Sequence, residues 1–421
     1  MPVSWLPITL INTNQPVLLF VDIVLLAIAI LLAVPIAVLF IECSAAFFTS
    51  QEEIGNTEGS LPKVSVLVPA HNEALGIGAT LETLLAQVTD KERVVVVADN
   101  CSDDTAAIAR QIGATVIERK DTQRRGKGYA LDYGLQFLKE NPPDVVVVVD
   151  ADCIVHKGAI DQIARIAAHR ARPVQATYLM ERPAKPGPKD SVSALAFLVK
   201  NLVRPVGLNR LGLPCLLTGT GMAFPWSAIA NAELASSNIV EDMQLALDLA
   251  IAGYPPVFCQ EARVTGSLPQ QENAAKQQRT RWEHGQLQTQ LTQVPRLLKA
   301  FVQQKRFDLF ALALDMCIPP LSLLVMLWAA VTAVALLAGS WGASWIPAMI
   351  LASEGFLVLV SIVGAWAKFG RDELPAKALL SVPFYILWKI PLYLAFLVRP
   401  QTKWIRTERD AADAPKSKGI G

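Results

Sequence analysis

Charged residues are scarce in this 421-residue chain, at 18% of the sequence, whereas hydrophobic residues make up 52%. Soluble domains ordinarily carry more charge and less apolar content, so we expect a membrane component. The formal net charge is only +1, and the chain therefore lacks the basic field by which proteins attract nucleic acid. A nucleic-acid partner is not expected.

Paired cysteines of the C-x-x-C type are also missing. The six cysteines are scattered along the chain, as Cys43, Cys101, Cys153, Cys215, Cys259 and Cys317. This spacing indicates neither a zinc site nor a disulfide framework. Reduced thiols in a cytosol-facing protein are the simpler interpretation.

Long apolar runs are present at both ends of the chain. Residues 17–41 contain one charge, Asp22, and no basic residue precedes them, so we expect a permanent membrane helix rather than a signal peptide. Three further runs are residues 318–338, 345–367 and 378–398. The last contains Lys389 and two prolines, which favours a re-entrant or interfacial helix over a full span.

The flanking charges predict an orientation. The loop 339–344 between the second and third runs is uncharged, whereas basic residues lie before and after this pair: Lys299, Lys305, Arg306, Lys368, Arg371 and Lys377. Because basic residues accumulate on the cytosolic side, both ends of this hairpin are expected to be cytosolic. The segment before it is then cytosolic as well, and the N-terminus lies outside.

Between the first and second apolar runs, short β-branched segments alternate with longer segments of helical pattern. The expected strands are residues 64–68, 94–98, 114–117 and 145–149, and the expected helices are residues 74–87, 104–112, 129–140 and 158–169. Continuous valine runs suit strands that are buried on both faces, as in a parallel sheet. The alternation predicts an α/β layered domain.

The sharpest motif is Asp150-Ala151-Asp152, directly after the fourth expected strand. Ligands of open α/β sheets bind at the carboxyl ends of the strands, and two carboxylates two residues apart lie on the same side. Such a pair suits Mg²⁺ or Mn²⁺, which bridge carboxylates to a substrate diphosphate. The alternative is an ordinary strand-end turn, in which aspartate is common.

Polar residues also follow the first two expected strands. One ends in Pro69-Ala70-His71-Asn72-Glu73 and the next in Asp99-Asn100-Cys101-Ser102-Asp103-Asp104-Thr105. Asp99 can accept a hydrogen bond from a base or a ribose hydroxyl, whereas residues 102–105 also suit helix capping. Three polar strand ends at one rim predict a nucleotide site.

Two motifs lie near expected helix starts. Lys127, in Arg124-Arg125-Gly126-Lys127-Gly128, suits a phosphate at a helix N-terminus or, equally, a solvated basic loop. In Val240-Glu241-Asp242, Asp242 is a candidate general base, and the alternative is that first-turn acids merely favour the helix dipole.

The last motif is Gln278-Arg279-Thr280-Arg281-Trp282. An arginine here adds positive charge for a leaving diphosphate, and the tryptophan offers a flat apolar face to a sugar. The alternative is a basic surface helix whose tryptophan packs inward or against the membrane.

These motifs, in this order, resemble the family 2 inverting glycosyltransferases. The closest subgroup is similar to the membrane-integrated synthases of cellulose, hyaluronan, chitin and poly-N-acetylglucosamine, with ceramide glucosyltransferase nearby. The resemblance covers about residues 60–300. It implies an α/β fold, namely a GT-A-like Rossmann-type cytosolic domain inserted between transmembrane helices. The implied divisions are an N-terminal transmembrane helix (1–48), the GT-A domain (61–306), a C-terminal membrane region of two spans plus a third span or interfacial helix (307–400), and a polar cytosolic tail (401–421).

The resemblance also implies a role for each matching residue. The donor-binding residues would be Pro69, His71, Glu73, Asp99, Lys127, Asp150 and Arg281, with Asp99 at the uracil. The acceptor-binding residues would be Gly219, Thr220, Glu241, Gln278 and Trp282. Asp150 and Asp152 would hold the metal, Asp152 most directly, and Asp242 would be the base. The chain departs from the family at Val240, where threonine is usual, and at His71, where tyrosine is frequent.

The expected function is metal-dependent inverting transfer from a UDP-sugar to a growing polysaccharide, at the cytosolic face of the cell (inner or plasma) membrane. The cofactor is Mg²⁺ or Mn²⁺, and a multi-pass enzyme with synthase or export partners is expected. One alternative is transfer of a single sugar to a membrane lipid or lipid-linked acceptor; another is a non-catalytic subunit of a synthase complex. A transporter is disfavoured because polar residues within the spans are few. The motifs do not encode the donor sugar.

Overall fold

The computed structural model describes residues 15–48, 62–181, 187–235, 240–267, 272–371 and 374–398. The linker expected at residues 49–60 and the tail expected at residues 401–421 lie outside this part of the chain. Within it, eight strands form a single sheet in the order β3-β2-β1-β4-β7-β6-β8-β5. The strands are β1 (Val64–Ala70), β2 (Val94–Asp99), β3 (Thr115–Arg119), β4 (Val145–Val148), β5 (Cys153–Val155), β6 (Val174–Glu181), β7 (Met222–Pro225) and β8 (Val257–Ser267).

The helices lie on both faces of the sheet and at the two ends of the chain. Those of the first half are α1 (Gln15–Ala45), α2 (Ile77–Leu85), α3 (Thr105–Ile112), α4 (Lys127–Leu138), α5 (Ala159–Arg170), α6 (Pro188–Leu198) and α7 (Arg204–Arg210). Those of the second half are α8 (Trp226–Ile229), α9 (Glu241–Ile251), α10 (Glu272–Gln304), α11 (Phe307–Met316), α12 (Leu321–Ser340), α13 (Ile346–Ala365) and α14 (Val382–Val398).

The four predicted strands are confirmed, and they form the parallel part of the sheet. β2 pairs with β1 and with β3, and β1 pairs with β4, all in parallel. Every residue of β2 and of β4 is buried. One face packs against α2 and α5 and the other against α4 and α9. Uninterrupted valine is the composition that such doubly covered strands require.

The other half of the sheet is mixed and was not predicted. β7 runs antiparallel to both β4 and β6, and β8 runs parallel to β6 but antiparallel to β5. The parallel half nevertheless aligns the carboxyl ends of β1, β2 and β4 along one rim. The polar motifs directly follow these strands in the sequence, so they lie at that rim.

Among the residues that the structure describes, five helical segments are long and apolar enough to cross a membrane by length and composition. They are Gln15–Ala45, Lys189–Arg210, Leu321–Ser340, Ile346–Gly370 and Leu379–Val398. Four match the predicted apolar runs. The segment Lys189–Arg210 was not predicted, and most of its apolar window is buried within the fold. The re-entrant or interfacial placement of the last segment, Leu379–Val398, stays a prediction.

A buried arginine joins the first apolar helix to the α/β domain. Arg204 Nε donates to Glu42 Oε2 of α1 at 2.7 Å, and Arg204 Nη2 donates to Asp315 Oδ1 of α11 at 2.5 Å. The backbones of α1 and α7 nearly touch, since a Cβ at Gly207 would lie 1.9 Å from the Glu42 carbonyl oxygen. Only glycine fits there. The α/β domain and α1 are therefore packed as one body at this contact.

Candidate active site

One end of the rim is built around Asp99, the last residue of β2. Its Oδ1 accepts hydrogen bonds from Arg119 Nη1 at 2.7 Å and from Asn100 Nδ2 at 3.0 Å. The Asp99 carbonyl oxygen lies 2.6 Å from His71 Nδ1. Asp99 is only 6% exposed. The predicted residues His71 and Asp99 thus lie side by side, and Arg119 is a third member that sequence reasoning missed.

The loops after β1 and β2 are tied to each other. Asn72 and Asn100 both have a positive φ, at 55° and 51°, a conformation that asparagine tolerates better than most residues. Asn72 Oδ1 accepts from the Ser102 N–H at 2.7 Å, and the Glu73 N–H donates to Thr105 Oγ1 at 2.8 Å. These bonds hold the two loops in one arrangement at the rim.

The helix-capping interpretation of residues 102–105 is confirmed in a shifted form. α3 begins at Thr105, and its backbone N–H donates to Asp103 Oδ1 at 3.1 Å rather than to the preceding Asp104. The same Asp103 side chain accepts from the Ala74 N–H at 3.1 Å. Capping and loop cross-linking are therefore performed by one carboxylate.

Lys127, the first residue of α4, lies at the centre of the site. Its Nζ is 2.5 Å from Asp150 Oδ1, 2.6 Å from the Gly219 carbonyl oxygen and 3.8 Å from Glu241 Oε1. Burial alone would lower the pKa of Lys127, but the charges of Asp150, Glu241 and Asp242 outweigh it and raise that pKa. The solvated-loop interpretation of Lys127 is wrong, because its side chain is only 20% exposed.

The segment before β7 brings a backbone turn against the carboxylates. Gly219 has φ +92°, and a Cβ there would lie 3.2 Å from Asp242 Oδ2 and 3.5 Å from Lys127 Nζ. The close approach and the left-handed backbone both require glycine. Thr220 is fully buried, and its Oγ1 accepts from the Asp150 N–H at 3.1 Å. Thr220 thus supports Asp150, whereas Gly219 lies at the cavity.

Gln175 of β6 fixes this turn and was also missed by sequence reasoning. Its Nε2 donates to the Thr220 carbonyl oxygen at 2.9 Å, and its Oε1 accepts from the Thr218 N–H at 2.8 Å. Gln175 is 1% exposed. No local motif marks it, because Thr218 and Thr220, the turn residues that it holds, lie more than forty positions along the chain.

Glu241 and Asp242 open α9 beside Gly219 and Lys127. Burial, partly offset by Lys127, raises the pKa of Asp242. Burial, offset by Lys127 and reinforced by the charge of Asp242, raises the pKa of Glu241 to about 7. Asp242 Oδ1 accepts from the Met243 N–H at 2.8 Å. A raised pKa increases the proton affinity of the Asp242 carboxylate, which is the change that a general base needs.

A cavity of about 310 Å³ begins at these groups and continues toward the apolar helices. Near the rim of the sheet it is lined by Lys127, Asp150 and Asp242. Its far end is lined by Leu39 of α1 and Leu321 of α12. The cavity thus joins the polar rim of the sheet to the region of the candidate spans.

The arginine and tryptophan of the α10 motif line this cavity. Trp282 packs against Phe197 of α6 with ring centroids 6.2 Å apart, and Arg281 lies beside it on the cavity wall. Arg279 pairs with Asp190 at 3.2 Å. Gln278 does not line the cavity, and its Oε1 is buried without a hydrogen-bond partner among the described residues.

The residue after the motif anchors the last apolar helix. Glu283 forms an ion pair with Lys389 of α14, and Glu283 Oε2 accepts from the Tyr393 hydroxyl at 2.6 Å. Lys389 is only 3% exposed. The lysine inside this apolar segment therefore faces α10 rather than lipid.

Three side chains at the end of β4 are close enough to share a cation. One ligand atom each of Asp150, Asp152 and Cys153 lies within 4.8 Å of the others. Burial raises the pKa of the Cys153 thiol well above its usual value, so it stays protonated and is no ligand for a hard cation. The two carboxylates fit a divalent ion. Lys127 contacts Asp150 at 2.5 Å, so the Asp150 carboxylate would be shared between this lysine and a bound ion.

Comparison with known proteins decides the family. The model of the family described as "Glycosyltransferase like family 2" matches residues 62–285. The chain belongs to this family. It is therefore a glycosyltransferase, and the residues that resemble the family motifs all lie within or just beside the matched segment.

Curated relatives cover only parts of the chain. The probable glycosyltransferase YdaM of Bacillus subtilis is 38% identical over 24% of this chain and 25% of its own length. The poly-beta-1,6-N-acetyl-D-glucosamine synthase of Staphylococcus aureus is 24% identical over 63% of this chain and 64% of its own. The chain thus spans about a quarter of the first relative and under two thirds of the second.

One solved structure supports the predicted fold along most of the chain. The mannosyltransferase PcManGT from Pyrobaculum calidifontis, in complex with GDP-Man and Mn²⁺, matches with a TM-score of 0.51 at 19% identity. The match covers 83% of this chain and 99% of the other. The predicted fold class, an α/β GT-A-like domain flanked by apolar helices, is confirmed.

Proposed function

We propose that this glycosyltransferase is membrane-bound and moves a sugar from a UDP-sugar to a growing polysaccharide, with inversion and with a divalent metal. The proposal rests on one observation above the others. Lys127, Asp150 and Asp242 meet around Gly219 at the end of a cavity that Trp282 borders. This arrangement supports the proposal that donor binding, metal binding and proton removal take place at one site.

The leaving group would be a nucleoside diphosphate held at the rim. Asp150 and Asp152 are the residues that would hold Mg²⁺ or Mn²⁺, and such an ion neutralises charge on the diphosphate. The bound GDP-Man and Mn²⁺ named for the mannosyltransferase of the same fold agree with this assignment. Lys127 and Arg281 add positive charge at the cavity wall.

The nucleoside would lie against the first two strand ends. Asp99 is proposed to bind the uracil, with Pro69, His71 and Glu73 forming the neighbouring wall. Arg119 Nη1 forms an ion pair with Asp99 Oδ1 at 2.7 Å. A uracil N–H would therefore meet a charged acceptor, which strengthens the hydrogen bond.

In the transfer step, Asp242 takes the proton of the acceptor hydroxyl. The acceptor oxygen forms a bond to the anomeric carbon as the bond from that carbon to the diphosphate oxygen breaks. The bonding electrons leave with UDP, so an α-linked donor yields a β-linked product. Gly219, Thr220, Glu241, Gln278 and Trp282 are the residues proposed to shape the acceptor side, Thr220 through its support of Asp150.

A membrane lipid or lipid-linked acceptor is the second candidate. Its supporting observation is the far end of the cavity, where Leu39 and Leu321 belong to candidate membrane spans. A polymer is favoured by the likeness to the poly-beta-1,6-N-acetyl-D-glucosamine synthase, which covers more of the chain than the likeness to YdaM does.

The proposed placement is the cell (inner or plasma) membrane, multi-pass, with the catalytic domain cytosolic. The proposed divisions are the N-terminal transmembrane helix (1–48), the GT-A domain (61–306), the C-terminal membrane region (307–400) and the cytosolic tail (401–421). The basic residues that flank α12 and α13 support the orientation. Synthase or export partners are part of the same proposal.

UDP release by the detergent-solubilised protein tests the function. The assay uses a panel of UDP-sugars with Mg²⁺, Mn²⁺ or EDTA, with and without membrane lipid extract, and the product is analysed by mass. Metal-dependent release with one donor is expected, together with a long glycan. A singly glycosylated lipid would favour the second candidate. No release with any donor would contradict the proposal.

A further inference from the structure

The cavity contains polar groups for which the transfer step has no use. They lie between α6 and α7, on the irregular segment before Gly219, and on α10. Between α6 and α7 the helix widens into a π-type turn at Val199–Val203. Such single wide turns inside helices are frequent at functional sites. Lys200 and Asn201 of this turn both line the cavity.

Two of these groups are buried without hydrogen bonds. Asn201 is 4% exposed, and its Oδ1 has no partner among the residues that the structure describes. The same is true of Thr218 Oγ1, one residue before Gly219. Both side chains line the cavity. Native proteins rarely leave buried polar atoms unpaired, so a ligand that pairs them is the simplest explanation.

A hydrogen-bond donor and an aromatic face lie beside them. Lys200 Nζ donates to Gln286 Oε1 at 2.9 Å, and an ammonium group can donate three hydrogen bonds in all. The aromatic face belongs to Trp282, which lines the same cavity. Lys200 is also near enough for its charge to act on Asp242. Lys200, Asn201 and Thr218 therefore line the same cavity as the proposed base Asp242.

We infer that Lys200, Asn201 and Thr218 bind the terminal sugar unit of the acceptor. A sugar ring presents several hydroxyls, each of which donates and accepts, as well as an apolar face for an aromatic ring. A simple lipid alcohol presents one hydroxyl, and Asp242 removes the proton of that hydroxyl. Such an alcohol would leave Asn201 and Thr218 without hydrogen-bond partners. The acceptor therefore already carries a sugar at its growing end.

This inference rests on the proposed function, because it assumes that Asp242 marks the acceptor side. It narrows that function to chain extension or to elongation of a glycolipid. Priming of a bare lipid alcohol is excluded by it. It adds Lys200, Asn201 and Thr218 to the acceptor side, beyond the residues that the sequence motifs suggested.

The test compares acceptors that share one alkyl chain. They are octan-1-ol, octyl β-D-glucoside and octyl N-acetyl-β-D-glucosaminide, supplied with the UDP-sugar and metal that support UDP release. We expect transfer to a glycoside and not to the alcohol. Asn201→Leu and Thr218→Val should each raise the KM for the glycoside about 3- to 10-fold, the size of one lost hydrogen bond.

The matched control is Asn209→Leu, which lies in the same helical segment but does not line the cavity. Its KM should equal that of the wild type. Because Asn201→Leu and Thr218→Val each remove a buried unpaired group, their Tm without ligand should be at least that of the wild type. Thr218→Val is nearly isosteric, so it decides the question if Asn201→Leu misfolds.

Three results bear on the inference separately from the function. Equal transfer to octan-1-ol, or a KM within twofold of wild type in both variants, would overturn the inference while metal-dependent UDP binding stays intact. Absence of metal-dependent UDP binding by the wild type would overturn the proposed function and this inference together. Titration of UDP into the protein with and without Mn²⁺ distinguishes these outcomes.

Discussion

Replacement of Lys127 by methionine tests the electrostatics of the site most directly. Lys127 is the cation around which Asp150, Glu241 and Asp242 are arranged. Without it, three partly buried carboxylates face one another. We expect the Lys127→Met variant to bind protons at higher pH than the wild type does. Since the base must be deprotonated, the acid limb of the pH–rate profile should move to higher pH.

The expected shift follows from the distance to Glu241. Two unit charges 3.8 Å apart interact by about 4 kcal/mol at an effective dielectric constant of about 20. This corresponds to about three pKa units at about 1.4 kcal/mol per unit. The side chains of Lys127 and Glu241 are 20% and 18% exposed, so solvent screens part of this interaction. We expect the acid limb to move toward higher pH by about one to two units.

The assay is UDP release at saturating donor across pH 5 to pH 10. Lys127→Arg, which keeps the charge, and Lys139→Met, which removes an exposed lysine at the other end of α4, are the controls. Both should keep the wild-type acid limb. Thermal unfolding gives a second measurement: the Lys127→Met variant should lose stability relative to wild type as pH rises, because its carboxylates then ionise without a counter-ion. An unchanged acid limb in Lys127→Met would refute this account.

Four further outcomes are expected. Asp242→Asn should lower kcat by about 10²- to 10⁴-fold with UDP binding intact; near wild-type turnover would remove Asp242 as the base. Asp152→Ala should weaken UDP binding in Mn²⁺ but not in EDTA, and equal affinities would contradict its metal role. Glu241→Gln removes a neighbouring negative charge, so the acid limb should move to lower pH, and a shift upward would contradict the coupling. Glu283→Gln leaves the Lys389 charge buried without a counter-ion and should cost about 3–5 kcal/mol of stability. The double variant with Lys389→Met should restore most of this loss. Equal Tm values for the wild type and Glu283→Gln would argue against a buried pair.

The parallel half of the sheet was predictable because the residues of each strand directly reflect its burial on both faces. A strand that is covered on both faces by helices needs apolar residues at every position, and the valine runs of β1, β2 and β4 display that need directly. The mixed half gives no such signal. Gln175 and Thr177 of β6 are polar yet buried, because backbone groups distant in sequence satisfy them.

The candidate site likewise consists of motif residues that the sequence predicted and supporting residues that it did not. Motifs at the ends of parallel strands were expected to meet, and Asp99, Asp150 and their neighbours lie along one rim. Residues that hold the motifs in place were not found from the sequence. Arg119 lies twenty residues from Asp99, and Gln175 is further still from the turn it supports. Neither belongs to a short pattern, so only the folded chain brings them together.

The long helix α10 explains why a lysine occurs inside an apolar C-terminal segment. A lysine at mid-segment is costly in lipid, and on sequence grounds Lys389 favoured an interfacial helix. In the folded chain its charge is paired with Glu283, the residue after Trp282. Any displacement of α14 would therefore act on the helix that positions Trp282 and Arg281 at the cavity. The last apolar helix and the segment that contains Arg281 and Trp282 are thus joined by Glu283 through its contacts with Lys389 and Tyr393.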